Sequence, residues 1–387
     1  MAAMSRIGRR AFAFSLAASP LAAQTSGLTK LRDLVVYSGE RFYSAFPSIV
    51  RRPDGEILVA FRRAPDRRLL GRPGVQHTDP NSYCVLVRSH DNGQTWSREP
   101  ELIYAHPLGG SQDPGLLQLR DGSILCTSYV WTWIDPQTFA KPAGAQLLNQ
   151  YVFQGGYVVR SDNGARTWKG PFTPPPVPDR GLRDGYGQPL PSYNRGAPCQ
   201  GRDGRVYWAV ASGRAAGEPG TDVHLLISED RGETWRYSCV IASDPKVSFN
   251  ETSLYETPRG DLVAFLRTAS FDDHTVVARS RDQGRSFEPW VDAGWQGRPH
   301  HAVRLEGGRV FLVYGYRHQP FGVRARILDA ECANVASAPE FVLRDDGGSG
   351  DLGYPWAVAL PGRRILAVYY FQRENGTRHI AGTLLSY

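Results

Sequence analysis

A glutamate and an arginine are spaced in the sequence so that a single β-hairpin would bring them together. The strand that starts near Glu251 turns at Gly260, and the apolar strand that returns ends at Arg267. Two such strands around a glycine turn are typical of a hairpin, so both residues would lie at the same open end of adjacent strands. An arginine placed there can bind a carboxylate through its planar, bidentate guanidinium group. The alternative interpretation is a glutamate at a strand edge and an arginine on the surface.

The pattern Ser-x-Asp-x-Gly-x-Thr-Trp recurs along the chain, and its chemistry is structural. Copies span residues 89–96, 228–235 and 280–287, a degenerate copy spans residues 161–168, and each follows a short β-like run. Asp and Asn close turns by bonding their own backbone, and Gly supplies a positive φ angle. We therefore interpret each octet as the tip of a hairpin. Repeats of this period indicate a propeller, a solenoid or another array.

A second repeat is stronger evidence for the architecture. Six times, an apolar strand, a glycine turn and another apolar strand follow one another. The six turns are Asp54-Gly55, Asp121-Gly122, Asp203-Gly204, Arg259-Gly260, Gly307-Gly308 and Pro361-Gly362. Their spacing leaves room for one four-stranded blade of roughly 40 to 50 residues plus loops. We therefore predict an all-β fold, a six-bladed β-propeller over residues 26–387, with the octets between the third and fourth strands of four blades.

The first 25 residues have the composition of an export signal. A basic stretch ending at Arg9-Arg10 precedes an apolar run over residues 11–18, and small residues follow at Ala22-Ala23. This order predicts a signal peptide over residues 1–25, and the arginine pair followed by Phe12 favours the twin-arginine route. The alternative is a ragged N-terminus. We expect an exported protein, periplasmic or extracellular, and no membrane insertion, since no run reaches ~18 apolar residues.

Charge and cysteine content narrow the classes of function. The formal net charge of +7 comes mainly from scattered arginines. A nucleic-acid-binding protein would need a concentrated basic face, so no nucleic-acid partner is expected. The five cysteines form no close-spaced pair, which indicates buried strand residues rather than metal ligands, and the sequence assigns no disulfide. We expect no cofactor and no metal, with the turn at Asp345-Asp346-Gly347 as a weak candidate for Ca²⁺.

The hairpins and octets together resemble the sialidase (neuraminidase) superfamily of six-bladed propellers, whose octet is called the Asp-box or BNR repeat. The resemblance covers nearly all of the chain after the signal segment. It implies that Glu251 partners a tyrosine nucleophile and that Arg267 is one of three arginines that bind the substrate carboxylate. It also identifies Tyr354, in Gly353-Tyr354-Pro355, as that nucleophile, the alternative being a structural tyrosine.

The same resemblance implies roles for two aspartates. Asp79 lies ten residues before Ser89 of the first octet, close to where the family places its acid/base aspartate. The alternative is a turn-forming residue before Pro80, and the nearby His77 could also titrate. Asp113, in the second blade, resembles a residue that lines the family's cleft, so it would contact the substrate.

The sequence departs from the family at the first carboxylate-binding arginine. Ala45 stands two residues before Pro47, where the family has that arginine, and Tyr370 stands about where the family has the glutamate that holds it. Both partners are lost together, which suggests that the carboxylate clamp is rebuilt or absent. We select Arg62 as the replacement cation. The alternatives are Arg41, Arg63 and Arg195.

The third arginine of the clamp has two candidates. Arg317 ends a predicted strand at the open face and is our choice, and Arg324 is the alternative. His300 and His301 open the same hairpin and could face the cleft. A histidine in such a place is more often a structural residue held by hydrogen bonds.

The implied chemistry is glycoside hydrolysis at the end of a glycan. Sialic acid carries a carboxylate on its anomeric carbon, which would repel an anionic nucleophile, so a neutral tyrosine attacks and a nearby carboxylate takes its proton. An aspartate then protonates the leaving oxygen and later activates water. We expect a retaining exo-glycosidase for sialic acid or a related acidic sugar, with a glycan or glycoconjugate as its partner. The alternatives are a propeller that binds glycan without turnover, and a glycosidase or lyase for another polysaccharide.

Overall fold

The computed structural model describes residues 27–71, 76–215, 218–372 and 375–387. Within these ranges the chain consists of β-strands, loops and two short 3₁₀ helices, Arg67–Leu70 and Gln76–Thr78. The strands are, in chain order, β1 (Thr29–Tyr37), β2 (Phe42–Arg51), β3 (Ile57–Pro65), β4 (Tyr83–Ser89), β5 (Glu101–Tyr104), β6 (Gly110–Gln118), β7 (Ile124–Trp133), β8 (Leu147–Leu148), β9 (Tyr151–Ser161), β10 (Lys169–Phe172), β11 (Cys199–Gln200), β12 (Val206–Gly213), β13 (Thr221–Ser228), β14 (Arg236–Ala242), β15 (Phe249–Glu256), β16 (Leu262–Thr268), β17 (His274–Ser280), β18 (Val291–Gln296), β19 (His300–Arg304), β20 (Val310–Tyr316), β21 (Gly322–Leu328), β22 (Glu340–Arg344), β23 (Gly353–Leu360), β24 (Arg364–Gln372) and β25 (Arg378–Ser386). None of the helices in the described ranges is long and apolar enough to cross a membrane. The predicted signal segment, residues 1–25, lies outside the described residues.

The strands form six antiparallel sheets, which are the blades of a propeller. The blades are β2-β3-β4-β5, β6-β7-β9-β10 with β8 beside β9, β11-β12-β13-β14, β15-β16-β17-β18, β19-β20-β21-β22, and β23-β24-β25-β1. The first strands of neighbouring blades contact one another around the axis, as β2 does with β6 and β23, and β19 with β15 and β23. The prediction of an all-β, six-bladed propeller is therefore confirmed.

The two ends of the described chain meet in the sixth blade. Strand β1 pairs antiparallel with β25, from Thr29 opposite Ser386 to Tyr37 opposite Ile380. The last blade therefore contains strands from both ends, and backbone hydrogen bonds close the ring. Closure of this kind leaves only short, protected sheet edges.

The six predicted glycine turns all connect the first and second strands of their blades. Gly260 joins β15 to β16 with a φ of 94°. This angle lies in the left-handed region, which glycine adopts without a steric penalty. Because the turn lies at one end of the hairpin, Glu251 near the start of β15 and Arg267 near the end of β16 lie together at the other end.

The octets form the outer turns between the third and fourth strands of four blades, as predicted. In the first copy, Asp91 Oδ1 accepts a hydrogen bond from Thr95 N at 2.9 Å, and Ser89 Oγ accepts one from Gly93 N at 2.9 Å. In the degenerate copy, Asn163 accepts the equivalent bond at 3.0 Å. These side chains are used to close turns, because they bond backbone groups that the tight turn leaves without strand partners.

Apolar side chains fill the space between neighbouring blades. Between the first and sixth blades, Phe61 of β3 packs in one fully buried cluster with Val368 and Tyr370 of β24. All five cysteines lie in the described ranges, and none forms a disulfide. Burial raises the pKa of the Cys84 thiol to about 12, so this cysteine behaves as a small apolar packing residue.

Candidate active site

Bulges in the innermost strands carry four side chains to one end of the propeller axis. The pairing of β2, β6, β15 and β23 with the next strand shifts register at a bulge in each case. The bulges hold Phe46, Asp113, Glu251 and Tyr354. Three of these residues have a positive φ, namely Phe46 (57°), Asp113 (29°) and Tyr354 (53°). Such angles are costly for residues other than glycine and are concentrated at functional sites.

Tyr354, Glu251 and Arg267 form one hydrogen-bonded group. Tyr354 Oη donates to Glu251 Oε1 at 2.5 Å, Arg267 Nη1 donates to Tyr354 Oη at 2.9 Å, and Arg267 Nη1 also bonds Glu251 Oε2. Burial raises the pKa of Tyr354 well above its usual range, and the Glu251 charge adds to this shift. The phenol is therefore neutral, as the prediction required.

Glu251 is ionised despite its position in the interior. Burial alone would raise the pKa of this carboxyl, but the Arg267 charge and the hydrogen bonds from Tyr354 and Arg267 outweigh burial and lower the pKa. An ionised carboxylate 2.5 Å from a neutral phenol can accept the phenol proton as the oxygen attacks.

Two further arginines lie over the ring of Tyr354. The guanidinium carbon of Arg317 is 5.0 Å from the ring centroid and that of Arg195 is 5.1 Å away. Arg317 donates to the carbonyl of Leu352 and to Tyr370 Oη, each at 2.9 Å. Arg195 is buried and donates to the carbonyl of Pro47 at 2.6 Å. Both cations are within the range at which a guanidinium group interacts with an aromatic face.

Arg298 belongs to the same group, although the sequence analysis did not identify it. It precedes the first strand of the fifth blade, and its Nη1 pairs with Asp273 Oδ1 at 2.8 Å. Burial lowers the pKa of Arg298, and the nearby charges of Arg267 and Arg317 lower it further. Its Nε has no hydrogen-bond partner among the described residues. One sequence feature could have identified Arg298: a proline follows it directly, as a proline follows Asp113 and Tyr354.

We call Arg195, Arg267, Arg298 and Arg317 the axial arginine cluster. Asp113 faces this cluster from the second blade and accepts a hydrogen bond from Tyr129 Oη at 2.8 Å. Its other oxygen, Oδ1, is buried and has no hydrogen-bond partner in the part of the chain that the structure describes. Burial raises the pKa of Asp113, and the Arg195 charge opposes this shift without cancelling it. Four arginines face three nearby acids, Glu251, Asp113 and Asp273, so the cluster carries an excess of positive charge.

The structure places Asp79 differently from the residues around Tyr354. Arg67 holds its carboxylate with two hydrogen bonds, Nε to Oδ2 at 2.6 Å and Nη2 to Oδ1 at 3.1 Å. The backbone nitrogen of Asn81 donates to Oδ1 at 2.8 Å, and Asp79 is 2% exposed. Among the described residues, no hydrogen bond or ion pair joins Asp79 to Tyr354 or to the axial arginine cluster.

The predicted loss of the first arginine leaves an apolar wall beside Tyr354. Ala45 is fully buried, and the next residue, Phe46, packs edge-on against Tyr354 with ring centroids 4.8 Å apart. Arg62 lies opposite Ala45 on β3 and is fully buried, with its guanidinium carbon 5.6 Å from the ring of Tyr43. Arg62 therefore places a buried cation on the neighbouring strand, next to Ala45.

The other cations weighed as replacements lie elsewhere, with the exception of Arg195. Arg41 is exposed, and the guanidinium carbon of Arg63 lies 3.5 Å from the ring centroid of Phe42. Tyr370 occupies the region of the family's missing glutamate, where its hydroxyl accepts from Arg317 and donates to Asp351 Oδ1 at 2.8 Å.

Of the two candidates for the third arginine, Arg317 is the one that reaches Tyr354. Arg324 bonds the carbonyl of Arg344 and lies over the ring of Tyr316 at 4.6 Å. The paired histidines are packing residues. His300 bonds Thr275 Oγ1 at 2.7 Å, and His301 stacks on Trp356 with ring centroids 4.4 Å apart. Burial lowers the pKa of each histidine to about 3, so both are neutral.

Comparisons with known proteins agree with this geometry at the level of the fold. The family model described as "BNR repeat-like domain" matches residues 141–377, and the model "BNR/Asp-box repeat" matches residues 87–98. The chain is 53% identical to a protein of unknown function from Dyadobacter fermentans DSM 18053, with 93% of this chain and 99% of that chain covered and a TM-score of 0.90. Among curated proteins the chain has no significant match.

Solved sialidases share the fold at low identity. The NanB sialidase of Streptococcus pneumoniae is 14% identical with a TM-score of 0.66, and the leech intramolecular trans-sialidase is 13% identical with a TM-score of 0.60. In both cases 91% of this chain and 70% of the other chain are covered. The chain therefore belongs to the BNR repeat-like domain family and has a sialidase-like, six-bladed propeller fold.

Proposed function

We propose that this protein is an exported exo-glycosidase of sialidase type. It would release a terminal sialic acid, or a related acidic sugar, from a glycan or glycoconjugate with retention of configuration. The observation that carries the proposal is the group at the axis: a neutral Tyr354 phenol hydrogen-bonded to an ionised Glu251, with four arginines around them. A binding protein has no need for a buried proton acceptor on a tyrosine oxygen.

The proposed reaction uses Tyr354 as the nucleophile. Its Oη attacks the anomeric carbon while its proton passes to Glu251, which lies 2.5 Å away. The bond from the anomeric carbon to the leaving oxygen breaks, and an acid at the mouth of the cleft protonates that oxygen. Water then releases the sugar from the tyrosine, and Glu251 returns the proton. A neutral nucleophile suits a substrate whose anomeric carbon bears a carboxylate.

The axial arginine cluster supports an acidic sugar as the substrate. Guanidinium groups bind carboxylates through paired, charge-assisted hydrogen bonds. Arg267 Nε and Arg298 Nε have no hydrogen-bond partners among the described residues, so both retain donor capacity. Because Ala45 stands at the position of the family's first arginine, the carboxylate would bind toward Arg267, Arg298 and Arg317.

A non-catalytic glycan-binding propeller is the second candidate, and one observation favours it. Phe46 packs directly on Tyr354 at a ring distance of 4.8 Å, and Ala45 beside it stands where the family presents an arginine to the substrate. A binder of this kind would retain the arginines for affinity and would show no turnover. A glycosidase or lyase for another polysaccharide would show turnover on a different glycan.

Export is a separate part of the proposal. Residues 1–25 would be removed as a signal, which leaves the propeller in the periplasm or outside the cell. Mass spectrometry of the protein from the periplasmic and extracellular fractions tests this directly. A mature N-terminus near residue 25 supports export, and recovery of the intact chain from the cytoplasm alone contradicts it.

Hydrolysis of a fluorogenic aryl α-sialoside by the protein lacking residues 1–25 tests the activity. We expect turnover by the wild type and a loss of at least about 10³-fold in Tyr354→Phe. The matched control is Tyr83→Phe, because the Tyr83 hydroxyl makes no hydrogen bond to the described residues. Folded wild-type protein that binds sialosides without hydrolysing them would establish the binding alternative.

A further inference from the structure

A histidine and an aspartate form a pair at the rim of the candidate site. His77 lies in the 3₁₀ helix Gln76–Thr78, and its Nε2 is 3.3 Å from Asp351 Oδ1. The His77 side chain is 44% exposed, whereas the residues that surround Tyr354 are largely buried. The proposed glycoside hydrolysis needs an acid at the mouth of the cleft.

Asp351 is held in place from three sides. Tyr43 Oη donates to its Oδ1 at 3.1 Å, Tyr370 Oη donates to its Oδ1 at 2.8 Å, and Arg378 Nε donates to its Oδ2 at 2.9 Å. Burial alone would raise the pKa of Asp351, but the contacts with His77, Arg378 and Tyr370 hold it well below its usual range. Asp351 is thus a fixed, ionised carboxylate, which is the group that orients an imidazole in acid/base pairs.

The imidazole of His77 lies one aromatic ring away from Tyr354. The ring of Phe46 is 5.1 Å from that of His77 and 4.8 Å from that of Tyr354. His77 Nε2 also lies 3.5 Å from Tyr43 Oη, so this nitrogen faces Asp351 and Tyr43. The opposite ring nitrogen, Nδ1, makes no hydrogen bond to a described residue. The His77 side chain, 44% exposed, lies at the rim, where the departing part of a glycan would leave an exo-acting site.

The two aspartates near the site are less suited to this step. Arg67 binds both oxygens of Asp79, which is 2% exposed. Asp113 is 3% exposed and faces Arg195 and Glu251 deeper in the structure. A proton donor must come within hydrogen-bond distance of the leaving oxygen, and of these three groups His77 is the one with substantial exposure.

We propose that His77 is the acid and base for the leaving group and for water, with Asp351 as its positioning residue. This inference rests on the proposed glycosidase function. In the first step the imidazolium gives its proton to the glycosidic oxygen as the anomeric C–O bond breaks, the electron pair stays on that oxygen, and the aglycone leaves as an alcohol. Tyr354 becomes bonded to the anomeric carbon, and its proton resides on Glu251.

In the second step the neutral imidazole removes a proton from water, whose oxygen attacks the anomeric carbon. The bond to the Tyr354 oxygen breaks, and that oxygen recovers its proton from Glu251. His77 and Glu251 thus return to their starting states. The charged and titratable groups around His77 are Asp351 and Tyr43 in direct contact, with Tyr370 and Arg378 behind Asp351.

The test compares two α-sialosides with different leaving groups, an aryl sialoside and 3′-sialyllactose. Protonation matters most for a poor leaving group. We expect His77→Ala to lose about 10²- to 10⁴-fold in kcat/KM on sialyllactose and much less on the aryl sialoside. Added imidazole should restore part of the activity on sialyllactose. His90→Ala, at an exposed octet tip, is the matched control and should behave as the wild type.

Asp351→Asn separates positioning from a merely structural role. We expect Asp351→Asn to lower kcat on sialyllactose more than on the aryl sialoside, with little change in KM, because the imidazole loses the carboxylate that orients it. The inference is overturned if His77→Ala keeps wild-type activity on both substrates, or if Asp79→Asn or Asp113→Asn shows the leaving-group dependence instead. In those cases, activity of the wild type that is lost in Tyr354→Phe would still support the proposed glycosidase function. If folded wild-type protein hydrolyses neither sialoside, the proposed function and this inference both fail.

Discussion

Tyr354 Oη donates a 2.5 Å hydrogen bond to Glu251 Oε1 across two different blades of the propeller. The two residues are separated by 103 positions in the chain, and each sits in a bulge of an innermost strand. The contact is therefore a product of the whole ring, since neither blade could form it alone. It couples a neutral nucleophile to an ionised proton acceptor, which is the arrangement that covalent catalysis by tyrosine needs.

Glu251 should set the acidic limit of activity. Its pKa is lowered in the folded protein, so the carboxylate stays ionised below the ordinary glutamate value of about 4.3. We expect kcat/KM to hold as pH falls through that value and to decline only at lower pH. In Arg267→Gln the main stabilising charge is absent, so the acid limb should move to higher pH. pH–rate profiles of the wild type and of Arg267→Gln measure the two acid limbs. An acid limb at the same pH in both proteins would contradict this role of Arg267.

Arg298 should contribute to substrate affinity. Removing a charge-assisted hydrogen bond costs about 1.5 to 3 kcal/mol, so Arg298→Ala should raise KM on an aryl sialoside by roughly 10- to 150-fold with a smaller change in kcat. Steady-state kinetics test this, with Arg309→Ala as a control outside the cluster. A wild-type KM in Arg298→Ala would exclude Arg298 from the binding site.

Restoring the arginine of the family at Ala45 should destabilise the protein. Ala45 is fully buried and lies opposite Arg62, which is also fully buried. A second buried cation there would face the Arg62 charge, and Tyr370 stands near the position of the glutamate that pairs with this arginine in the family. We expect Ala45→Arg to lose about 3 kcal/mol or more in free energy of unfolding. Urea denaturation measures this free energy, with Ala333→Arg at an exposed position as the control. An unchanged free energy of unfolding in Ala45→Arg would show that the protein can accept an arginine at position 45.

The octet aspartates should stabilise the fold in a pH-dependent way without affecting catalysis. Burial opposes ionisation of Asp91, but the hydrogen bonds from Thr95, Ser89 and Gln94 together outweigh burial and lower its pKa to about 2. Since the folded pKa lies below the unfolded one, the stabilisation is complete above pH about 4 and is lost as pH falls toward about 2. Asp91→Ala should cost about 1 kcal/mol at neutral pH, discounted because the site is exposed. Urea denaturation at pH 7 and pH 3 measures both, and a fall in kcat would contradict a purely structural role.

The features of the fold that depend on local sequence were predictable. The six glycine turns and the octets are each specified within a few residues by turn chemistry, and all of them appear where expected. The pairing of β1 with β25 was not predicted, because it joins the two ends of the described chain and β1 is exposed along most of its length. A pairing of this kind follows from ring closure rather than from a local pattern.

In the candidate site too, the residues in local sequence patterns were predictable and those placed by contacts between distant segments were not. The hairpin placed Glu251 beside Arg267, and the Gly-Tyr-Pro segment identified Tyr354 as the residue that meets them. Arg298 was missed because it lies just before the first strand of the fifth blade, where its backbone pairs with Gly315 of β20, and no repeated motif in the sequence marks that position. The ion pair between Asp79 and Arg67 spans a loop and a 3₁₀ helix, and nothing in the sequence pattern indicated it.

Covalent trapping tests the central claim most directly. A sialosyl fluoride with a second fluorine next to the anomeric carbon forms the glycosyl intermediate and slows its hydrolysis, so the intermediate accumulates. Peptide mapping by mass spectrometry should find the sugar on the peptide that contains Tyr354 in the wild type, and no adduct in Tyr354→Phe. Turnover of a sialoside by the wild type with the adduct on a different residue, or with inverted configuration in the product, would contradict the assignment of Tyr354 as the nucleophile.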